Sequence, residues 1–261
     1  MDFGLDDRGV LRVAGPDAAH FLQNIVTNDV EGLEAGALRF AALLTPQGKI
    51  LFDFLIHRRS ADEFLLDVPA DKAAELAKRL AMYRLRAKVE IRDESERLAV
   101  TADTQGAPLD PRAELGARRI VPRDAAPPAD AGARAAYEAR RVALCVPEGG
   151  KDFSYGDVFP HDVNMDLLNG VDFGKGCYVG QEVISRMRHR GEIRRRIVRV
   201  AALDGSLETG ASVVDGELPV GIVGTVAGTQ ALALVRVDRA EEAERAGRTL
   251  SAGGQRLRRI E

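Results

Sequence analysis

The segment GKGCYVGQE, from Gly174 to Glu182, places one cysteine among residues that could make its thiol reactive. Its three glycines allow a tight turn and a close approach of the backbone to a ligand. Lys175 stands two residues before Cys177, and a nearby positive charge or the first turn of a helix, here predicted over Gln181–Met187, lowers the pKa of a thiol. A reactive thiol on a loop competes with a small buried cysteine, and these residue types leave both interpretations open.

The chain contains two cysteines, Cys145 and Cys177, and four histidines, without a CxxC or HxxxH spacing. A structural zinc ion needs four closely placed ligands, and an iron–sulfur cluster is usually held by four thiolates. The sequence therefore predicts no metal site and no permanently bound cluster. Because a disulfide is not expected in a reducing compartment, any cysteine chemistry must come from a single thiol.

A second candidate is Asp53, which interrupts a strand predicted over Lys49–His57. One face of this strand carries four large apolar residues, Ile50, Phe52, Phe54 and Ile56. Asp53 shares the other face with Leu51 and Leu55. A carboxylate between two leucines lies either at a surface or partly buried beside partners, and burial raises its pKa. Asp53 could therefore line a ligand pocket or serve a structural hydrogen-bonding role.

The elements that would position these residues form a mixed unit in the first hundred residues. Helices are predicted over Pro16–Val26 and Asp71–Tyr83, where apolar residues recur every three to four positions. Strands are predicted over Leu38–Leu44, Lys49–His57, Glu63–Val68 and Val89–Arg92. This order indicates an antiparallel sheet with a helix on one face, which places the chain in the α+β class.

The remaining chain divides into two further regions. Residues 101–135 are rich in Pro, Gly and Ala and predict an irregular connection with two short strands. Beyond Gly191, short β-rich runs separated by Asp-Gly turns predict a small antiparallel barrel or sandwich; they are Ile193–Ala201, Ala211–Val214, Val220–Ala227 and Ala231–Val237. We therefore expect two interleaved subdomains over residues 1–190 and a barrel domain over residues 191–261.

The composition of the 261-residue chain is ordinary for a globular protein, with 45% hydrophobic and 30% charged residues. A net charge of −3 argues against a protein devoted to nucleic acid. No apolar run is long enough to span a membrane, and the acidic start MDFGLDDRGV resembles neither a secretion signal nor a transit peptide. These features lead us to expect a cytoplasmic, monomeric protein.

The cysteine segment, continued through SRMRHRG at Ser185–Gly191, closely resembles the signature of the YgfZ family, whose mitochondrial members include an iron–sulfur assembly factor. RRVALCVPEGGKDF at Arg140–Phe153 and FPHDVNMD at Phe159–Asp166 resemble further segments of that family. Three other segments resemble the related glycine-cleavage aminomethyltransferase: NIVTNDV at Asn24–Val30, LLTPQGKILFDFLIH at Leu43–His57 and TQALALVRV at Thr229–Val237. The resemblance covers nearly the whole chain.

The resemblance implies a three-domain ring of the aminomethyltransferase type, with antiparallel sheets, helices, a C-terminal β-barrel and a central hole that holds tetrahydrofolate or another folate derivative. Asp162 stands where folate enzymes of this fold use a glutamate to accept two pterin N–H groups in a fork. Its side chain is one methylene shorter, which requires a shifted pterin or a bridging water. A merely solvated loop aspartate is the alternative.

Other family positions carry similar implications. Asp53 matches the catalytic aspartate of the aminomethyltransferase, although Phe52 replaces the acid that usually precedes it. Arg141, on a strand in the family pattern, suits the anionic tail of folate, or it pairs with an acid on a neighbouring strand. Cys145 occupies a position that is commonly glycine and is expected to be structural. The candidates for chemistry are Cys177, Lys175 and Asp53, and those for folate binding are Asp162, Asp53, Arg141, Tyr178 and Gln181.

The resemblance implies a tetrahydrofolate-binding accessory protein that helps to assemble or repair iron–sulfur proteins, with effects on clients such as tRNA-modifying enzymes. A folate-dependent aminomethyl or one-carbon transferase is the alternative, and Asp53 keeps it open. Between Arg186 and Arg199, seven arginines accompany one acid, Glu192. A solvated surface is the simplest interpretation; a funnel for a polyglutamate tail, a docking face for an acidic partner and nucleic-acid binding are the others.

Overall fold

A computed structural model describes residues 2–191 and 193–260. Along the chain its strands are β1 (Phe3–Gly4), β2 (Arg8–Ala14), β3 (Leu38–Leu44), β4 (Ile50–Arg58), β5 (Glu63–Pro69), β6 (Glu90–Asp93), β7 (Leu98–Asp103), β8 (Ala117–Pro122), β9 (Arg195–Ala202), β10 (Ser212–Asp215), β11 (Leu218–Ala227), β12 (Gln230–Arg236), β13 (Leu250–Ala252) and β14 (Gln255–Ile260). Its α-helices are α1 (Ala18–Gln23), α2 (Ala73–Arg84), α3 (Ala131–Ala143), α4 (Gln181–Arg190) and α5 (Val237–Arg245).

The N-terminal half is built on an antiparallel five-stranded sheet in the order β3-β4-β5-β2-β6. Apolar side chains of β4 point alternately to the two faces of the sheet, and both faces are buried. Phe52, Phe54 and Ile56 pack with residues of α1 and α2, whereas Leu55 belongs to the core on the opposite face. Asp53 shares the face of Leu55, and its Cα pairs with that of Ala42 on β3. Asp53 therefore points toward the rest of the molecule.

The strands of a second sheet precede and follow those of the first sheet in the chain. The second sheet has three antiparallel strands in the order β1-β7-β8, so β1 joins a sheet whose other strands begin about ninety residues later. Helix α3 follows it, and Asp130 caps the first turn of α3 by accepting a hydrogen bond from the backbone N–H of Ala133. The chain thus returns to complete the sheet that it started.

The C-terminal strands form a closed antiparallel barrel in the order β10-β11-β12-β9-β14-β13, closed by pairing of β10 with β13. The barrel has a core of its own, which includes Val200, Val213 and Val223 and is completed by α5. One side of it nevertheless joins the core shared with both sheets, where Leu234 packs in the same cluster as Leu55 and Val100. The three sheets therefore meet around one common interior.

The strands predicted at Leu38–Leu44, Lys49–His57 and Glu63–Val68 are confirmed within a residue or two at each end. Strands β2, β13 and β14 and helix α5 were not predicted. Residues 101–135, expected to be an irregular connection, contain the end of β7, all of β8 and the start of α3. The strand expected around Arg141 is wrong, because Arg141 lies in the last turn of α3.

Candidate functional site

Cys177 is exposed on the loop between Val171 and Gly180, directly before α4. The start of this loop runs beside the segment that follows α1. The backbone N–H of Asp172 donates to the carbonyl oxygen of Thr27 at 3.0 Å, and the Thr27 hydroxyl donates to the carbonyl of Gly170 at 2.7 Å. The Asp172 carboxylate in turn accepts from the N–H groups of the next turn, which fixes the path toward the cysteine.

Lys175 anchors the same loop from its middle. Its side chain is only 9% exposed, and its ammonium group donates to three backbone carbonyls, those of Gln23 at 2.6 Å, Val26 at 2.8 Å and Asn28 at 2.8 Å. These carbonyls lie at the C-terminal end of α1 and just beyond it, where cations are favoured. Burial lowers the pKa of Lys175 to about 8.

The sequence predicted that Lys175 acts on the thiol of Cys177, but no hydrogen bond joins these two side chains in the structure. An ammonium group has three N–H donors, and all three are taken by carbonyl oxygens of the N-terminal segment. Lys175 holds the loop in place while Cys177 itself stays exposed. The sequence could not show this, because a lysine two residues from a cysteine has the same spacing whether it faces the sulfur or turns away.

Two further residues fix the loop beyond the cysteine. Tyr178 is 8% exposed, joins the common core and faces the Lys175 ammonium, whose nitrogen lies 5.3 Å from the ring centroid. Burial raises the pKa of Tyr178 to about 12. Gly180 has φ of +83°, and a Cβ there would lie 2.6 Å from the carbonyl oxygen of Thr45 in the β3–β4 turn. Gln181 is half-buried at the start of α4.

Cys145 lies in a different environment, just after α3. Its φ of +54° falls in the left-handed region, which explains why a glycine suits this position. Its sulfur is half-buried, 3.5 Å from the side-chain nitrogen of Asn164. Burial raises the pKa of Cys145 to about 11. The thiol is therefore protonated and sheltered.

Asp53 is buried beneath Tyr155, whose hydroxyl donates to the Asp53 carboxylate at 2.5 Å. Burial raises the pKa of Asp53, and the hydrogen bond from Tyr155 opposes that shift. The packing is close: a Cβ at Gly149 would lie 2.6 Å from Oδ1 of Asp53. Tyr155 therefore covers the carboxylate that the sequence predicted as a ligand contact. The sequence analysis did not identify Tyr155.

Asp162 is 3% exposed in a short 3₁₀ turn at Pro160–Val163. Its Oδ2 accepts from the backbone N–H of Phe159 and from the guanidinium of Arg195 on β9, both at 2.9 Å. The interpretation of Asp162 as a solvated loop residue is therefore wrong. A fork to a pterin needs both carboxylate oxygens, and one of them already holds the turn to the barrel.

Arg141 is fully buried and uses all five of its N–H groups within the protein. Its acceptors are carboxylate oxygens of Glu138 and Asp152, the carbonyl of Val146 and the hydroxyl of Thr225 on β11. The geometry thus corresponds to the alternative in which Arg141 pairs with acids, and it leaves no N–H for the tail of folate. Arg141 ties α3 to the barrel.

A second buried ionic network, missed by the sequence analysis, joins the two N-terminal sheets. Asp67 on β5 accepts from Arg118 on β8 at 2.7 Å and from Arg8 on β2 at 2.6 Å. These opposite charges outweigh desolvation and lower the pKa of Asp67 to about 2. Arg118 also donates to the hydroxyl of Tyr137 on α3. No local spacing connects these residues, so only their hydrogen bonds in the folded protein show that they form one cluster.

Residues 2–191 and 193–260 contain no group of three or more His, Cys, Asp or Glu side chains placed to hold a metal ion. None of their helices combines the length and apolar character needed to cross a bilayer.

Comparison with known proteins assigns the fold. Residues 4–106 match the family model described as the GCVT N-terminal domain, and residues 194–260 match the CAF17 C-terminal beta-barrel domain. The structure superimposes on the glycine cleavage system aminomethyltransferase T from Bartonella henselae with a TM-score of 0.72 over 99% of this chain and 84% of that one, at 17% identity. The expected aminomethyltransferase-like α+β fold with a C-terminal β-barrel is confirmed, and the barrel has six strands.

Sequence relatives define the family more closely. The iron–sulfur cluster assembly factor IBA57 of Mus musculus is 33% identical, with 78% of this chain and 67% of the relative covered. The human protein of that name is 34% identical (77% and 66% covered), and the Neurospora crassa homolog is 32% identical (74% and 52%). The chain belongs to the IBA57 family, although it spans only about half to two thirds of the length of these relatives.

One expectation is corrected by the same comparison. The three relatives are all described as mitochondrial proteins. The cytoplasmic localisation inferred from the N-terminal residues is therefore wrong. An acidic start such as MDFGLDDRGV argued against a transit peptide, but composition near one end of a sequence is weak evidence about the compartment.

Proposed function

We propose that this protein is an accessory factor in the assembly or repair of iron–sulfur proteins, of the YgfZ type, and that Cys177 is its working thiol. The observation that carries this proposal is the exposure of Cys177 on a loop that is fixed by Asp172, Lys175, Tyr178 and Gly180. The relatives named as iron–sulfur cluster assembly factors support the same role. The cluster or its iron is then cargo, received from or passed to an assembly or client protein.

The residues that hold the loop in place are distinct from the cysteine that would bind the cargo. Thiolates are the usual ligands of iron–sulfur clusters, and a ligand that binds transiently must be reachable by a partner protein. Lys175 and Tyr178, on either side of Cys177, are buried, and Lys175 is hydrogen-bonded, whereas Cys177 is exposed. Such a loop presents one sulfur in a defined position with little conformational entropy left to lose on docking.

The test is complementation of a strain that lacks the gene, with the activity of a [4Fe–4S] enzyme such as aconitase as the measurement. Cys177→Ser should fold normally and fail to restore that activity, because a hydroxyl is a poor ligand for iron–sulfur clusters. Cys145→Ser is the matched control and should restore it. Full activity with Cys177→Ser would remove the thiol from the function.

We also propose that tetrahydrofolate or a related folate binds in the region of Asp53, which the aminomethyltransferase-like fold supports. The residues expected to contact it do not form an open site as they stand. Arg141 has no free N–H, Tyr155 covers Asp53, and Asp162 offers only Oδ1 without a partner in the described residues. We therefore derive no chemical step from folate, and Tyr178 and Gln181 keep only their predicted roles as contacts.

Calorimetry with tetrahydrofolate tests this part. Asp53→Asn should weaken binding by about 1–3 kcal/mol, the usual cost of an unsatisfied buried group. Asp157→Asn, which changes an exposed acid on the loop before Asp162, is the control and should not alter affinity. If tetrahydrofolate releases no heat and causes no thermal stabilisation, folate has no place in the function.

A folate-dependent aminomethyl or one-carbon transferase is the second candidate, because the raised pKa of buried Asp53 suits a group that exchanges a proton. The hydroxyl of Tyr155 already occupies that carboxylate, which favours the accessory role. Turnover of glycine-derived aminomethyl donors with tetrahydrofolate separates the two functions. We expect none; turnover that Asp53→Asn abolishes would establish the transferase.

A further inference from the structure

The arginines that follow Cys177 differ from most others in how they are paired. Ion pairs or hydrogen bonds hold most arginine side chains of the described residues, including Arg195 and Arg196 within the same run. Eight of the arginines in residues 2–191 and 193–260 have neither. These eight are Arg79, Arg86, Arg186, Arg188, Arg190, Arg194, Arg199 and Arg258. Five of them fall between residues 186 and 199, so unpaired positive charge is concentrated next to the cysteine loop.

Helix α4 turns much of this charge outward. Its one fully buried residue is Ile184, and Val183 packs on Gly48 in the β3–β4 turn. Arg186 and Arg190 lie four residues apart on the same side of the helix, and both are exposed. We call the exposed set of Arg186, Arg188, Arg190 and Arg194 the arginine face.

Helix stability accounts for only part of the arginine face. Cations in the last turn of a helix interact favourably with its dipole, which explains Arg188 and Arg190. Arg188 also lies over the ring of Phe173, 4.0 Å from its centroid. Arg186 is in the middle of α4 and Arg194 lies beyond its end, so neither gains from the dipole in this way. Their charges are available to another molecule.

The arginine face also lies close to the thiol. Helix α4 begins four residues after Cys177 and has ten residues, which corresponds to a length of about 15 Å. A protein surface that covers the helix therefore reaches the cysteine as well. Because Arg186, Arg188 and Arg190 are exposed on the helix, they offer a charged surface for docking, whereas a small folate tail requires a cleft.

We propose that the arginine face docks an acidic surface of a protein partner and so brings a reacting group of that partner to Cys177. This inference deepens the proposed function, since it names the chemistry of the assembly or client protein that meets the thiol. A protein carboxylate surface fits better than nucleic acid, because no Phe, Tyr or Trp alternates with these arginines for base stacking. It fits better than a membrane, because the apolar side of α4 is already packed against the protein.

The test measures how fast an acidic peptide reaches Cys177. The probe is an octaglutamate peptide with a C-terminal cysteine activated as a 2-pyridyl disulfide, compared with the octaglutamine peptide carrying the same group. The Cys177 thiolate attacks the peptide cysteine sulfur, a new disulfide forms, the old one breaks, and 2-thiopyridone leaves with the electron pair and is followed by absorbance. A Cys145→Ser background confines the reaction to Cys177, and Cys177→Ser should release nothing above background.

We expect the octaglutamate peptide to react at least about tenfold faster than the octaglutamine peptide at low salt, as electrostatic steering provides. The advantage should disappear near ~1 M salt, where the Debye length is about 3 Å. R186E/R190E/R194E should remove it. The matched control R79E/R86E/R258E makes the same change of charge at unpaired arginines elsewhere and should keep it.

Equal rates for the two peptides at low salt would overturn the proposal, as would an equal loss in both triple variants. Stronger inhibition by a single-stranded oligonucleotide or by a folate polyglutamate than by unactivated octaglutamate would assign the face to those ligands instead. Circular dichroism checks that both variants stay folded. The comparison of the two peptides needs neither cluster nor folate, so its result stands apart from the complementation test of Cys177.

Discussion

Replacing Lys175 by methionine tests whether this lysine anchors the cysteine loop or activates the thiol. The change keeps a flexible apolar chain and removes the ammonium that donates to three backbone carbonyls at 2.6–2.8 Å. Each buried acceptor left without a donor costs about 1–3 kcal/mol, and partial access of water to the loop reduces the total to roughly 2–4 kcal/mol. For a chain of this size that corresponds to a melting temperature lower by about 5–15 °C.

Thermal unfolding followed by circular dichroism measures this effect. Lys78→Met is the control, because Lys78 is exposed on α2 and makes no hydrogen bond or ion pair within the described residues. Its melting temperature should match that of the wild type. Lys175→Arg should not rescue stability, since a planar guanidinium cannot replace a compact ammonium among three converging carbonyls.

Alkylation of Cys177 by iodoacetamide supplies the second readout. If Lys175 is an anchor, its loss leaves an already exposed thiol, and the rate should change by less than about threefold. A melting temperature within about 2 °C of the wild type, together with alkylation slowed about tenfold, would refute the anchoring role and restore the role of thiol activator.

At pH 8, iodoacetamide should label Cys177 well before Cys145, because a pKa of about 11 leaves Cys145 roughly a hundredfold less thiolate than an ordinary cysteine; peptide mapping that finds Cys145 first would contradict this. His57 is buried with Nε2 unpartnered, and burial lowers its pKa to about 4. The unfolded chain therefore binds more protons than the folded chain between pH 6.5 and 4, so the free energy of unfolding should fall by about 3 kcal/mol as the pH is lowered over that range. His57→Leu should make the free energy measured by urea unfolding depend less on pH. An unchanged dependence on pH would exclude His57 as the cause. Arg118→Leu removes one partner of buried Asp67 and should lower the free energy of unfolding in urea by about 3–5 kcal/mol. A loss below about 1 kcal/mol would show that Arg8 alone neutralises this carboxylate.

Local patterns in the sequence determined most of the sheet that carries the site. Alternation of apolar side chains along Lys49–His57 predicted β4 and placed Asp53 on the face opposite Phe52 and Phe54, as the structure shows. Glycines beside Cys177 predicted a turn, and the cysteine is indeed exposed on a loop. These predictions succeed because alternation and turn preference depend on residues only a few positions apart.

The tertiary structure alone decided what the charged residues do. Lys175 binds the carbonyl of Gln23, which is 152 residues away in the chain, and Arg195 reaches back 33 residues to Asp162. Arg141 was predicted on a strand, either beside the tail of folate or paired with an acid, and it lies instead in α3, where it closes a network with the barrel. Long charged side chains can satisfy their donors in many directions, so their partners depend on which distant segments fold against them. The segments Asn24–Val30, Leu43–His57 and Gly174–Glu182 were recognised separately, and only folding brings them together to hold one exposed thiol.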